Sequence, residues 1–118
     1  MTHAVRFVAV VAVLTAVALC VPVQAQTPEI DAARARAEAG DAEAQLDLGV
    51  MYATGAGVPQ DYVEAHMWFN IAASRATGEA RENAVEARDG LAGLMSPTQI
   101  AEAQRLAHEW DTAHLREP

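Results

Sequence analysis

Apolar residues recur at every third or fourth position from about residue 28 to residue 110, which is the spacing of one face of an α-helix. This pattern predicts five helices. Side-chain oxygens that can cap the first backbone N–H groups of a helix stand at Thr27, Asp41, Asp61 and Ser96. No segment shows the strict alternation of a half-buried strand, so the chain is predicted to be all-α.

The third and fourth helices carry specific expectations about burial. The third is predicted to begin at Asp61, which forms a capping-box-like pair with Glu64, and to close at Gly78. Its buried positions are predicted to be Tyr62, Ala65, Phe69, Ala72 and Ala73, with Trp68 on the flank and His66 beside the core. The buried positions of the fourth helix are predicted to be Ala80, Ala84, Ala87, Leu91 and Leu94.

The second and third helices are joined by a turn that contains Gly55 and Gly57, because glycine reaches backbone angles that other residues resist. Small side chains on the two helices allow a close approach, and larger ones fill the remaining volume. The positions that carry this pattern are Ala44, Leu48, Gly49, Tyr52, Gly55, Gly57, Val58, Asp61, Ala65, Trp68, Ala72 and Ala73. The pattern predicts a closely packed helical hairpin.

These positions resemble the Sel-one-like repeat (SLR) family, which are helical-hairpin relatives of the tetratricopeptide repeats. The resemblance is specific from about residue 37 to residue 73. It implies a short α/α superhelix of helix-turn-helix repeats that presents a surface to another protein. In related architectures the first helix of each hairpin lines the concave side, which nominates Asp47 and Met51 as partner-binding residues.

A second, weaker copy of the repeat follows the first and aligns Pro59 with Pro97. The second copy lacks the glycine-rich turn. We therefore predict one well-formed repeat at about residues 37–76 and a degenerate capping repeat at about residues 78–114, both within a domain of residues 26–118. Terminal repeats are expected to be atypical, because their outer face meets solvent.

Residues 1–25 have the order of a secretory signal peptide: a basic start, an apolar run from residue 7 to residue 23, and small residues before a cleavage site after Ala25. The run is slightly short of the roughly 20 residues that span a bilayer. We expect export to the periplasm or the exterior, with no membrane span after cleavage; an uncleaved anchor is the alternative. Cys20, the only cysteine, leaves with this segment, so the mature protein has no disulfide.

The chain is acidic, with 16 Asp and Glu against 8 Arg and a net charge of −8. Loss of Arg6 with the signal peptide takes the charge to −9, because the other seven arginines follow Ala25. An acidic surface repels nucleic acid and anionic lipid headgroups. The expected partner is therefore a protein or a peptide.

Candidate chemistry is sparse. His108 and His114 are six positions apart, whereas a zinc-binding helix places its two histidines four apart, so no metal site and no cofactor are predicted. Ser74 and Ser96 are the only serines beyond the predicted signal peptide. Ser96 already serves as a cap, and Ser74 has no histidine close in sequence. The protein is predicted not to be an enzyme.

The sequence therefore predicts an exported protein-interaction module. Two alternatives stay open. One is a small envelope-associated enzyme or metal-binding protein; the other is a structural subunit that forms a homodimer or caps a larger assembly. The second alternative arises because about one and a half repeats is fewer than the three usually needed for independent stability.

Overall fold

The computed structural model describes residues 27–115, and the predicted signal peptide lies outside the described residues. Five helices follow one another: α1 (Pro28–Glu38), α2 (Ala42–Thr54), α3 (Tyr62–Arg75), α4 (Gly78–Ala92) and α5 (Pro97–Ala113). No strand occurs within residues 27–115. The predicted fold class, an all-α array of helical hairpins, is confirmed.

The helix starts follow the side-chain oxygens that the sequence places there. Thr27 accepts a hydrogen bond from Ile30 N, and Asp41 accepts from the backbone N–H groups of the first turn of α2. Ser96 and Gln99 form a complete capping box, with each side chain bonded to the other's backbone. Asp61 Oδ1 accepts from Glu64 N at 3.1 Å. These bonds satisfy N–H groups that have no partner inside the helix.

The turn between α2 and α3 depends on left-handed backbone at two glycines, Gly55 with φ 76° and Gly57 with φ 80°. Gly55 caps α2, and its N–H donates to Met51 O. The turn brings Asp61 N to within 2.9 Å of Tyr52 O, so α3 starts beside the last turns of α2. The two glycines of the turn therefore set the geometry of the hairpin.

Helix α3 is the centre of the molecule, because it packs against α2, α4 and α5. A helix with neighbours on three sides has no single buried stripe, and eight of its residues from position 65 to position 73 are buried. Trp68, predicted to lie on the flank, is only 1% exposed. His66 and Met67 are also buried, which the predicted stripe did not include.

Helices α2 and α3 touch most closely at Gly49. A Cβ atom built on Gly49 would lie 2.5 Å from Phe69 Cδ1, so no larger residue fits without a shift. Of the repeat positions named above, those on the two helix faces and Val58 are buried. In the turn, Gly55 and Asp61 are exposed and Gly57 is half-buried. The packed face of the hairpin and its exposed turn thus have separate residue requirements.

The sequence predictions were wrong in two places, the end of α3 and the end of α4. Gly78 does not close α3: that helix ends at Arg75, with Ala76 as an extended cap, and Gly78 is the first residue of α4. Leu94, predicted to be buried, is 68% exposed because α4 ends at Ala92 and Leu94 lies in the turn that follows. Of the other four predicted positions, Ala84 and Leu91 are buried and Ala80 and Ala87 are half-buried.

Candidate functional site

A groove runs between α2 and α4, the first helices of the two units. It encloses about 440 Å³ and is lined by Glu43, Leu46, Asp47, Glu79, Ala80 and Asn83. The two helices make little direct contact with each other, because both pack against α3. The space between them is left open to solvent.

Local helix geometry places the acidic side chains on the rim of the groove. Asp41 caps α2. Glu43 and Asp47 are four residues apart on this helix, so they lie one turn apart on the same face. Glu79 lies in the first turn of α4, on the other side of the groove. The half-buried Leu46 and Ala80 add apolar surface between the carboxylates.

The three groove carboxylates, Glu43, Asp47 and Glu79, form no ion pair within residues 27–115. Six other carboxylates of the described chain do form ion pairs. Asp41 binds Arg36, whose hydrogen bond lowers the pKa of that carboxyl, and Arg105 lowers the pKa of Glu102 in the same way. Arg36 acts on Glu43 and Asp47 only through longer-range Coulombic attraction, so the three groove carboxylates are open to an ion pair with a partner.

A second polar group, here called the α1–α5 cluster, consists of Glu38, Arg75, Trp110, Asp111 and His114. Glu38 Oε2 accepts from Trp110 Nε1 at 3.0 Å and lies 3.5 Å from His114 Nε2. Arg75 Nη2 donates to His114 O at 2.7 Å and lies 3.4 Å from Asp111 Oδ1. The cluster joins the last turns of α1, α3 and α5.

The indole of Trp110 is the centre of this cluster. The His114 ring stacks on it with 3.8 Å between ring centroids and 8° between ring planes. The Arg75 guanidinium carbon lies 4.7 Å from the Trp110 centroid, within the range of a cation–π contact. Trp68 meets the same indole edge-to-face at 5.7 Å. The C-terminal turn of α5 is therefore anchored through one aromatic side chain.

The groove lies partly in a segment that matches a known family. Residues 42–76 match the family model described as the Sel1 repeat. Over these residues the chain is similar to a Sel1 repeat. No curated protein and no solved structure matches the chain.

The Sel1 repeat comprises α2, α3 and the turn between them, so it contains the first wall of the groove. Asp47, one of the two nominated partner-binding residues, lines the groove. Met51 lies one turn further along the same helix, half-buried against the core and outside the groove lining. The second wall, α4, lies beyond the matched segment.

The sequence reasoning missed two of the groove carboxylates and the α1–α5 cluster. Glu43 could have been found, because it precedes Asp47 by four residues on the same helix. Glu79 and the pairing of Glu38 with Trp110 had no local signal, since each depends on a partner far away in the sequence. His114 was grouped with solvated tail residues, whereas it stacks on Trp110.

Within residues 27–115 no three His, Cys, Asp or Glu side chains are grouped so that they could hold a metal ion. Over the same residues no helix combines the length and apolar character required to cross a bilayer. The chemistry that the groove offers is charge and apolar contact, which is the chemistry of binding.

Proposed function

We propose that the protein is an exported protein-interaction module that holds its partner in the α2–α4 groove. The Sel1 repeat supports the general class, a helical module for contact with other proteins. The observation that carries the location is the set of three rim carboxylates that form no ion pair within residues 27–115 and face each other across a groove with an apolar floor.

The partner that we infer is a cationic segment of another protein. Arginine or lysine side chains would pair with Glu43 and Asp47 on one wall and with Glu79 on the other. An aliphatic side chain between them would cover Leu46 and Ala80, so both the charge and the apolar floor would be used. Opposite potentials across an interface accelerate encounter and select against acidic competitors.

Such an interaction is expected to be weak and sensitive to salt. Each exposed ion pair contributes about 0–1 kcal/mol, and salt screens it over a distance of about 10 Å at 0.1 M ionic strength. A groove of this size covers one or two side chains rather than a whole partner domain. The groove would therefore recognise a short segment within a larger or a transient contact.

Export is the second part of the proposal, and it rests on the signal-peptide pattern of residues 1–25. We expect the full-length chain, expressed in a Gram-negative host, to appear in the periplasmic fraction with its N-terminus at Gln26. Intact mass and N-terminal sequencing would measure this. A full-length chain retained in the membrane fraction would support the uncleaved-anchor alternative instead.

Binding can be measured by fluorescence anisotropy with the mature protein and two short labelled peptides. In one peptide arginine alternates with leucine, and in the other glutamate replaces every arginine. We expect the cationic peptide to bind about tenfold more tightly or better, and its affinity to fall as salt is raised. Equal binding of both peptides would contradict a groove that selects for positive charge.

Two isosteric variants locate the site. Asp47→Asn removes a groove charge, whereas Glu109→Gln removes a charge from α5, where Glu109 pairs with Arg105. Both lower the negative charge of the protein by one, so a nonspecific charge effect would weaken the peptide equally in both. We expect Asp47→Asn alone to reduce affinity substantially. Sedimentation of the free protein at several concentrations would show whether a second copy occupies the groove instead.

A further inference from the structure

The α1–α5 cluster contains a histidine whose two ring nitrogens both face oxygen acceptors. His114 Nδ1 lies 2.8 Å from Trp110 O, and Nε2 lies 3.5 Å from Glu38 Oε2. A backbone carbonyl and an ionised carboxylate can only accept hydrogen bonds. Nδ1 must therefore carry a hydrogen to bond with Trp110 O.

The contact between Nε2 and Glu38 then differs between the neutral and the protonated ring. In the neutral ring with a hydrogen on Nδ1, Nε2 presents a lone pair to the Glu38 carboxylate, and the contact is unfavourable. In the imidazolium, Nε2 carries a hydrogen as well and both contacts are favourable. Imidazole side chains gain or lose this proton between about pH 5 and pH 8, a range in which glutamate is mostly ionised.

We propose that His114 and Glu38 form a proton-dependent latch between the last turns of α5 and α1. The latch closes when His114 takes up a proton and loosens when the proton leaves. Helix α1 packs mainly on α2, so the α1–α5 cluster is its connection to the far end of the array. Closing the latch ties the leading helix to the trailing one.

Within residues 27–115, two cations and two carboxylates belong to this cluster when the latch is closed. Arg75, from α3, lies over the Trp110 ring and His114 stacks on the same ring, so protonation places two cations about one indole. Glu38 from α1 and Asp111 from α5 supply two carboxylates against them. His114 also caps the C-terminal end of α5, where the helix dipole favours positive charge.

A double-mutant cycle at two pH values tests the latch. Glu38→Gln keeps an oxygen that can accept from Trp110 Nε1 but removes the charge. His114→Phe keeps a ring that can stack on Trp110 but removes both nitrogens. Denaturant unfolding of the wild type, the two single variants and the double variant gives the coupling between the two positions.

At about pH 5.5 we expect the two positions to be coupled by about two- to fivefold in the unfolding equilibrium constant, as for an exposed ion pair. At about pH 8 the coupling should vanish. Other titrating groups, including His66, are present in all four proteins and cancel in the cycle. Equal coupling at both pH values, or none at pH 5.5, would overturn the proposal.

A second measurement remains informative if the variants are unstable. The indole N–H signal of Trp110 in the NMR spectrum should move between about pH 5 and pH 8 in the wild type. Its acceptor, Glu38, gains a second hydrogen bond, from His114, when the imidazole is protonated. The same signal should stay still in His114→Phe. A Trp110 signal that moves equally in both proteins would contradict a latch controlled by His114.

Discussion

The two helical units of this molecule hold together in different ways. In the first unit, α2 and α3 pack face to face, with the Phe69 ring against the backbone of Gly49. In the second, α4 and α5 make little direct contact, and each packs on α3 instead. The first unit is a hairpin stabilised by its own contacts, whereas the second depends on the first.

This difference explains how so short an array has a core. A single helix, α3, supplies the surface for three neighbours, and Trp68 reaches Trp110 of α5 across the central layer. The second unit can therefore be polar on its outer face without losing its place. Substitutions in the two units should therefore have different effects on stability.

Removal of the Trp68 side chain should affect both units at once. Trp68→Ala is expected to lower the free energy of unfolding by about 3–5 kcal/mol, because it empties the space in which the two units meet. That is a large share of the stability of a small domain. Thermal unfolding followed by circular dichroism measures the change. Trp68→Phe retains most of the ring and should cost much less; an unaltered Tm in Trp68→Ala would show that the ring is not in the core.

The close approach within the first unit is tested by Gly49→Ala. The added Cβ would lie 2.5 Å from Phe69 Cδ1, so the hairpin must open or the ring must move. We expect a loss of about 1–3 kcal/mol in denaturant unfolding. If the contact is the cause, Phe69→Leu should partly rescue the variant. A loss that Phe69→Leu does not reduce would point to another cause.

The buried histidine of α3 should make the core sensitive to acid. Burial, with a smaller contribution from Arg88, lowers the pKa of His66, whereas Asp89 acts in the opposite direction. The unfolded chain then binds the proton more readily than the folded one. The free energy of unfolding should be highest above about pH 6.5 and should fall as the pH drops below that value, by less than about 1.4 kcal/mol per pH unit.

His66→Gln separates this effect from the titration of the carboxylates, because glutamine has no charge at any of these pH values. We expect the variant to show a shallower fall in the free energy of unfolding between about pH 6.5 and pH 5 than the wild type. Urea unfolding at closely spaced pH values measures the slope. Parallel curves for the two proteins would exclude His66 as the origin.

The smallest expected effect has the opposite sign and lies in the second unit. Gly90 is inside α4, and a Cβ built on it meets nothing within 4 Å. Gly90→Ala should raise the free energy of unfolding by about 0.5–1 kcal/mol, because alanine loses less backbone entropy on helix formation. The same substitution at Gly49 is expected to destabilise. If both variants shift Tm in the same direction, the contrast between the two units is wrong.

Much of the fold could be predicted from the sequence, because the signals for it are local. Thr27, Asp41 and Ser96 lie within three residues of the N–H groups that they cap, so the starts of three helices follow from short-range chemistry. Gly55 and Gly57 mark the turn for an equally local reason. The boundary at Gly78 was wrong because glycine can stand both at the end of a helix and at the start of one, and Gly78 is the first residue of α4.

Less of the candidate site could be predicted from local sequence patterns. Asp47 was nominated from a family resemblance and lines the groove, and its role in partner binding stays a prediction. Glu79 could be placed opposite it only after α3 had oriented α2 and α4. Burial of His66 and Met67 was missed, since a periodic stripe assumes one neighbouring surface and α3 has three.

The sequence by itself determined that this chain forms capped helices, a glycine turn and one well-formed hairpin, since each of these depends on residues a few positions apart. Three features depend on the tertiary structure. Helices α4 and α5 pack against α3, three carboxylates line one groove, and Glu38 contacts Trp110 and His114. Those outcomes bring together side chains separated by tens of residues. Their energies depend on distance and burial, which no local pattern contains.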